Sequence, residues 1–180
     1  MGHSLGGLVA AELAAFQPER IQRLALVAPA GIPCGRGVLS RSLRLVETLY
    51  DLRERLPTIV GDALRTGPLD IMRGVVFVSG RDLRADLAAV RAPSLLVWGD
   101  RDQLVPTRVA EGWQDALPGS RLVLLRCSHV SMWEAPDELT ASLLAFLEEE
   151  VPNELADEVR PRVVDRVWLA GNDHEPGSRQ

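Results

Sequence analysis

Three short, largely apolar runs punctuate the chain, at residues 24–28, 94–98 (opening on Ser94) and 122–125. The first is bounded by Pro29 and Gly31, the second by Pro93 and Gly99. Apolarity that is continuous over four or five residues, rather than alternating, predicts strands buried on both faces, as in a parallel sheet. Between and around them the spacing is helical. Leu8, Val9, Ala10, Ala11, Leu13, Ala14, Ala15 and Phe16 predict a helix that Pro18 ends, since proline cannot continue one. Residues 109–117 predict a second helix. A third is predicted over 136–148, with Pro136, Asp137 and Glu138 in the first turn, where the helix dipole favours them.

The stretch from about residue 31 to 92 has a different character. Leu39, Leu43, Val46, Leu49 and Tyr50, then Leu56, Ile59 and Val60, recur at helical spacing among Arg and Glu; segments 69–78 and 82–90 follow. These predict short helices in a layer of their own. Beyond residue 150, Leu155, Val159, Val163, Val164 and Val167 suggest one more helix interrupted by Pro161, and residues 171–180 read as disordered. Strands alternating with helices predict an α/β fold built on a parallel, doubly wound sheet, with a main domain at 1–150 and an extension at 151–180.

Composition narrows the function. A chain of 180 residues with 46% apolar and 25% charged residues is one globular domain's worth. That excludes a largely disordered chain, a collagen-like repeat and a disulfide scaffold. A net charge of -5 argues against a nucleic-acid partner, whose phosphates call for a basic excess. All 20 basic residues are Arg, which carries no mechanistic message. The longest apolar run is far too short for a membrane span, and no charged-then-apolar leader opens the chain. Cys34 and Cys127 form no CxxC pair and fit a reducing compartment, so the expected location is cytoplasmic, with no metal site.

The candidate chemistry lies at the start. Gly2-His3-Ser4-Leu5-Gly6 fits G-x-S-x-G, and a helix follows Ser4 directly. A bare match leaves Ser4 as an ordinary helix N-cap. The helix makes it fit a nucleophile elbow, where a sharp turn exposes the hydroxyl and a Cβ on the flanking glycines would clash. An acid, Asp100 or Asp102, follows the second run, and His129 follows the third. The order Ser, Asp, His is one this architecture uses. Other conspicuous side chains have plainer readings. His3 is a structural residue that should point away from Ser4, and His174 is a solvated tail residue. Trp98 and Trp113 are packing residues, as is Trp133 unless it lines a pocket beside His129. The Arg-rich run 41–55 is the wet face of a helix, Cys34 and Cys127 are small buried groups, and Glu148, Glu149 and Glu150 form a solvated helix end.

With these residues in view, the sequence resembles the α/β-hydrolase family, in particular its lid-bearing serine-esterase-like and C–C-hydrolase-like members. The matching segments are GHSLGG (2–7), PERIQRLALVAPAG (18–31), APSLLVWGDRDQLVP (92–106) and SHVSMWEAPDEL (128–139). The resemblance implies Ser4 as nucleophile, Asp102 as acid, His129 as base, the Leu5 amide as an oxyanion-hole donor and residues 31–92 as a lid. It implies ester hydrolysis of a small-molecule substrate with no cofactor; Ser rather than Asp at the elbow disfavours enzymes that form an alkyl-enzyme ester. Asp100, directly after Gly99, is expected to shape the turn by accepting backbone amides, leaving Asp102 to reach His129.

Two departures stand out. Ser128 replaces the glycine usual before the base. The chain also starts at the elbow, which implies an N-terminally truncated hydrolase lacking the strand that leads into Ser4, the earlier strands and the second oxyanion donor. On that reading residues 24–28 form an open sheet edge inviting self-association. The competing expectations are an inactive remnant that needs the missing half, or a ligand-binding protein that keeps the triad.

Overall fold

The computed structural model describes residues 1–33 and 56–149. Its centre is a four-stranded, all-parallel sheet of β1 (Gly2–His3), β2 (Leu24–Val27), β3 (Ser94–Gly99) and β4 (Arg121–Leu125), in that spatial order. The three predicted strands are present within a residue of their expected bounds. β2 and β3 are buried at every position, as continuous apolarity requires. Among the described residues β4 pairs with β3 alone, and it is partly exposed.

β1 corrects one expectation. The strand leading into Ser4 is represented by two residues, with Gly2 paired to Leu26 and His3 to Val27. Two residues carry too little pattern to announce a strand. They nonetheless border the second half of β2, so the edge expected to be wholly open is partly covered.

Helices lie on both faces, and the pleat sorts the apolar side chains between them. Leu24, Leu26, Leu96 and Trp98 face α1 (Leu5–Phe16) and α4 (Arg108–Ala116), packing with Leu8, Ala11, Ala14, Val109, Ala110 and Trp113. Ala25, Val27, Leu95, Val97 and Leu125 point the other way, onto Leu139 and Phe146 of α6 (Pro136–Glu148). Successive residues of β2 and β3 therefore serve opposite cores. Trp98 and Trp113 are fully buried, as expected of packing residues. At the far end of α6, Arg23 donates to the carbonyls of Phe146 and Glu149, and Arg121 pairs with the Glu149 carboxylate. Glu149 is thus engaged rather than merely solvated.

The described part of the segment between β2 and β3 includes several helices. They are α2 (Leu56–Thr66), α3 (Pro68–Ser79) and a 3₁₀ turn at Asp86–Ala89. Leu83 and Leu87 anchor its end in the α1-side core, while Leu64, Leu69, Met72 and Val76 remain exposed. α3 passes close to the start of α1: a Cβ on Gly74 would sit 3.8 Å from the Leu5 side chain. The short α5 (Ser131–Glu134), just after His129, and a 3₁₀ turn at Pro18–Arg20 were not anticipated. The expected helix around 39–50, Cys34, the run 41–55, Glu150, His174 and the extension 151–180 lie outside the described residues.

Candidate active site

The carboxyl ends of β1, β3 and β4 lead directly into Ser4, Asp102 and the His129 loop. Ser4 joins β1 to α1 without an intervening residue, at φ 51° and ψ -117°. A non-glycine residue at positive φ is strained and is held only where its surroundings over-determine it. Here the Ser4 N–H donates to the Val27 carbonyl at 3.0 Å. The Ser4 carbonyl accepts from the amides of Gly7, Leu8 and Ala30. The side chain makes no capping hydrogen bond to α1, so the plain N-cap reading of Ser4 does not hold.

The glycines around it divide. A Cβ on Gly2 would stand 2.2 Å from the Gly6 carbonyl oxygen, and one on Gly7 would stand 2.7 Å from the Pro29 side chain, so both positions demand glycine. A Cβ on Gly6 would meet nothing within 4 Å. The expected steric need at the second glycine of the motif is therefore absent; Gly7, outside it, has that need instead.

Asp102 and His129 meet. The Asp102 carboxylate has no solvent exposure, and its Oδ2 lies 2.8 Å from His129 Nδ1. Its other oxygen, Oδ1, accepts the amides of Leu104 at 2.9 Å and Val105 at 2.8 Å. The Val105 carbonyl in turn takes the indole N–H of the buried Trp98 at 2.7 Å. Because a carboxylate only accepts, the hydrogen on the facing ring nitrogen is at Nδ1, which leaves Nε2 of neutral His129 bare. The turn-shaping role expected of Asp100 therefore belongs to Asp102, which performs both tasks with its two oxygens. Asp100 is exposed and faces Arg101 Nε at 3.8 Å.

The loop carrying His129 is fixed at several points. Its near end lies against Gly99, where a Cβ would stand 2.1 Å from the Ser128 carbonyl oxygen. Arg101 N–H donates to the Cys127 carbonyl at 3.0 Å. Glu134 accepts both the Ser128 amide, at 2.8 Å, and the Ser128 hydroxyl. The serine that departs from the family's glycine is thus part of a clasp. Cys127 is buried, and burial pushes its thiol up to about 11, consistent with a small inert group.

His3, expected to be structural, makes a specific contact with the base loop. Its Nε2 lies 3.0 Å from the His129 carbonyl oxygen, and the two rings are 4.8 Å apart between centroids. Burial, followed by the neighbouring His129, holds the His3 imidazole below its ordinary pKa. The contacts of the described residues do not include a hydrogen bond between the Ser4 hydroxyl and the His129 ring; His3, one residue earlier, is what touches His129. The contacts of His3, Glu134 and Gly99 with the His129 loop were not anticipated from the sequence. The one available signal was Ser128 itself, a hydroxyl where a bare backbone was expected.

A serine between a parallel strand and the helix that follows it, and a buried Asp–His pair, all after the carboxyl ends of parallel strands, match the arrangement of the α/β-hydrolase fold. The family model for the alpha/beta hydrolase family matches residues 1–142, and the chain belongs to that family. It is similar to the pimeloyl-[acyl-carrier protein] methyl ester esterase of Nitrosomonas europaea, 30% identical over 78% of this chain and 67% of that protein. It is also similar to the dihydrolipoyllysine-residue acetyltransferase component of the acetoin cleaving system of Pseudomonas putida, 27% identical over 81% of this chain and 44% of that protein. Among solved structures, the enol-lactonase from Burkholderia xenovorans matches with a TM-score of 0.56 and 26% identity, over 82% of this chain and 64% of its own. The chain thus spans between under half and about two thirds of the length of these relatives. Among the described residues, no helix is long and apolar enough to cross a membrane.

Proposed function

We propose that this chain carries the acyl-transfer site of a serine hydrolase acting on a carboxylic ester with an apolar acyl part. Ser4 is the nucleophile, His129 the general base and Asp102 the acid that fixes the imidazole. The bare Nε2 of His129 takes the Ser4 proton as Oγ attacks the carbonyl, then returns it to the leaving alcohol; water repeats the cycle to release the acid. The Leu5 amide, at the start of α1 where helix amides lack intrahelical acceptors, receives the oxyanion. No cofactor enters these steps.

The observation that carries the reading is the fully buried Asp102 carboxylate, split between two loop amides and His129 Nδ1. A structural ion pair has no need of a tautomer fixed in this way. The strained backbone of Ser4, without a capping role, supports it. An apolar acyl group suits Leu5, about 40% exposed, beside which α3 passes at Gly74.

A fluorophosphonate probe and p-nitrophenyl esters of graded chain length test the proposal. The expected result is phosphonylation at Ser4, found by mass spectrometry and abolished in Ser4→Ala, with ester turnover lost in parallel. Ligand binding with neither labelling nor turnover would instead favour a receptor-like protein.

A further inference from the structure

We infer that His3 is a positioning residue for the His129 base: a neutral imidazole whose Nε2–H holds the main chain of the base loop against the strand that carries the nucleophile. The inference deepens the hydrolase reading and rests on it.

The argument begins with the strand order. The His129 loop leaves β4, at one side of the sheet, whereas Ser4 follows β1 at the other. Three inter-strand steps of about 4.8 Å separate them, roughly 14 Å in all. The loop must therefore arch over the ends of β3 and β2 to serve Ser4. Its near side is well supported: Gly99 abuts the Ser128 carbonyl, Arg101 N–H holds Cys127, and Glu134 grips Ser128. Asp102, on the β3 loop, fixes the ring through Nδ1. None of these contacts refers to β1. The hydrogen bond from His3 to the His129 carbonyl does, and it joins the residue before Ser4 to the backbone of the base itself.

Chemistry sets the state of His3. A carbonyl only accepts, so Nε2 carries the hydrogen, and a neutral ring then leaves Nδ1 bare. The depressed basicity of His3 favours that neutral form beside a second imidazole. The His3 ring also lies against that of His129, tilted by 46°, which limits the ring's rotation. Two constraints, a donor and a ring face, thus come from one side chain, and substitution separates them. His3→Gln keeps an amide donor at the reach of Nε2 and loses the ring. His3→Phe keeps a ring and loses the donor.

The test uses the full chain. In His3→Phe, kcat for p-nitrophenyl ester turnover is expected to fall about tenfold at unchanged KM, the size one lost positioning hydrogen bond supports, while His3→Gln stays within about threefold of the parent. Far-UV circular dichroism melts monitor folding. In parallel, long-range ¹H–¹⁵N spectra of labelled protein report the His3 tautomer and the downfield Nδ1 proton of His129. His3 is expected as the Nε2–H form. His3→Phe is expected to move or broaden the His129 Nδ1 signal, and His3→Gln to restore it. The spectra decide even if no variant, parent included, turns over ester or reacts with the probe, an outcome that defeats the hydrolase reading alone. An Nδ1–H tautomer at His3, an unmoved His129 signal in His3→Phe, or a Gln variant as impaired as the Phe variant overturns the proposal.

Discussion

Replacing Asp102 by Asn puts a single neutral amide where one carboxylate serves two masters. In the parent, Oδ1 accepts the Leu104 and Val105 amides while Oδ2 faces His129 Nδ1. Asparagine has one acceptor oxygen and one donor nitrogen. Placing the nitrogen at the Oδ1 position would set it against two backbone donors and leave both unpaired, at about 1–3 kcal/mol each. The oxygen therefore stays with the loop, and the side-chain NH₂ confronts His129 Nδ1. The imidazole must then present a lone pair there and carry its hydrogen on Nε2, which removes the bare nitrogen needed to take a proton. The expected loss in turnover is about 10⁴-fold, about 5 kcal/mol of transition-state stabilisation. The fold should lose only about 1–2 kcal/mol, because the geometry is kept and a charge-assisted bond becomes a neutral one. Ester turnover, urea unfolding and ¹⁵N tautomer spectra check these together. Turnover within tenfold of the parent, or lost turnover with His129 still protonated at Nδ1, would refute the reasoning. Asp100→Asn is the contrast: an exposed carboxylate whose replacement should leave stability within about 0.5 kcal/mol and turnover unchanged.

Gly99→Ala would drive a Cβ into the Ser128 and Cys127 carbonyls, both main-chain atoms that cannot swing aside; urea unfolding should register a loss of about 3 kcal/mol. Gly6→Ala meets open space inside α1 and should raise stability by up to about 1 kcal/mol in the same assay. The Cys127 thiol should resist iodoacetamide at pH 8 until the chain unfolds. Its folded-state pKa of about 11 lies above the ordinary 9.0, so the stability it contributes is intact below pH 9. That contribution is lost as pH rises from 9 towards 11, because the unfolded thiol ionises first; melting temperatures across that range, compared with Cys127→Ser, check the sign.

What the sequence disclosed and what it withheld have a common explanation. β2 and β3 were legible because burial on both faces writes itself as an uninterrupted apolar run, and α6 because Pro136, Asp137 and Glu138 mark a helix start by local chemistry alone. Placement after successive strands brought an acid, Asp100 or Asp102, towards His129, and the expected turn-shaping role of Asp100 together with the family resemblance selected Asp102. Contacts between residues remote in sequence were not anticipated. Nothing about Gly99 as a turn residue says that a carbonyl from the neighbouring loop abuts it. Nothing about His3 as a neighbour of Ser4 says that its ring reaches His129. That Asp102 takes the turn-shaping role as well as the contact with His129 has the same origin: either acid could bond amides two residues on, and the hydrogen bond from Trp98 to the Val105 carbonyl goes with the choice of Asp102. Gly6 was misjudged because a motif fixes residue types without fixing where each Cβ would point.

The hydrogen bond between His3 and His129 spans 126 residues of chain, whereas the one between Asp102 and His129 spans 27. The second lies within a single strand–helix–strand unit, β3 to β4, and can form as soon as that unit closes. The first must wait until every crossover in the sheet is in place, since long-range closure comes at the greatest entropic cost. During refolding, the Asp102–His129 pair should therefore appear with the bulk of the secondary structure. Reactivity at Ser4 should lag behind it, which makes probe labelling a clock for the last step of folding rather than for its onset.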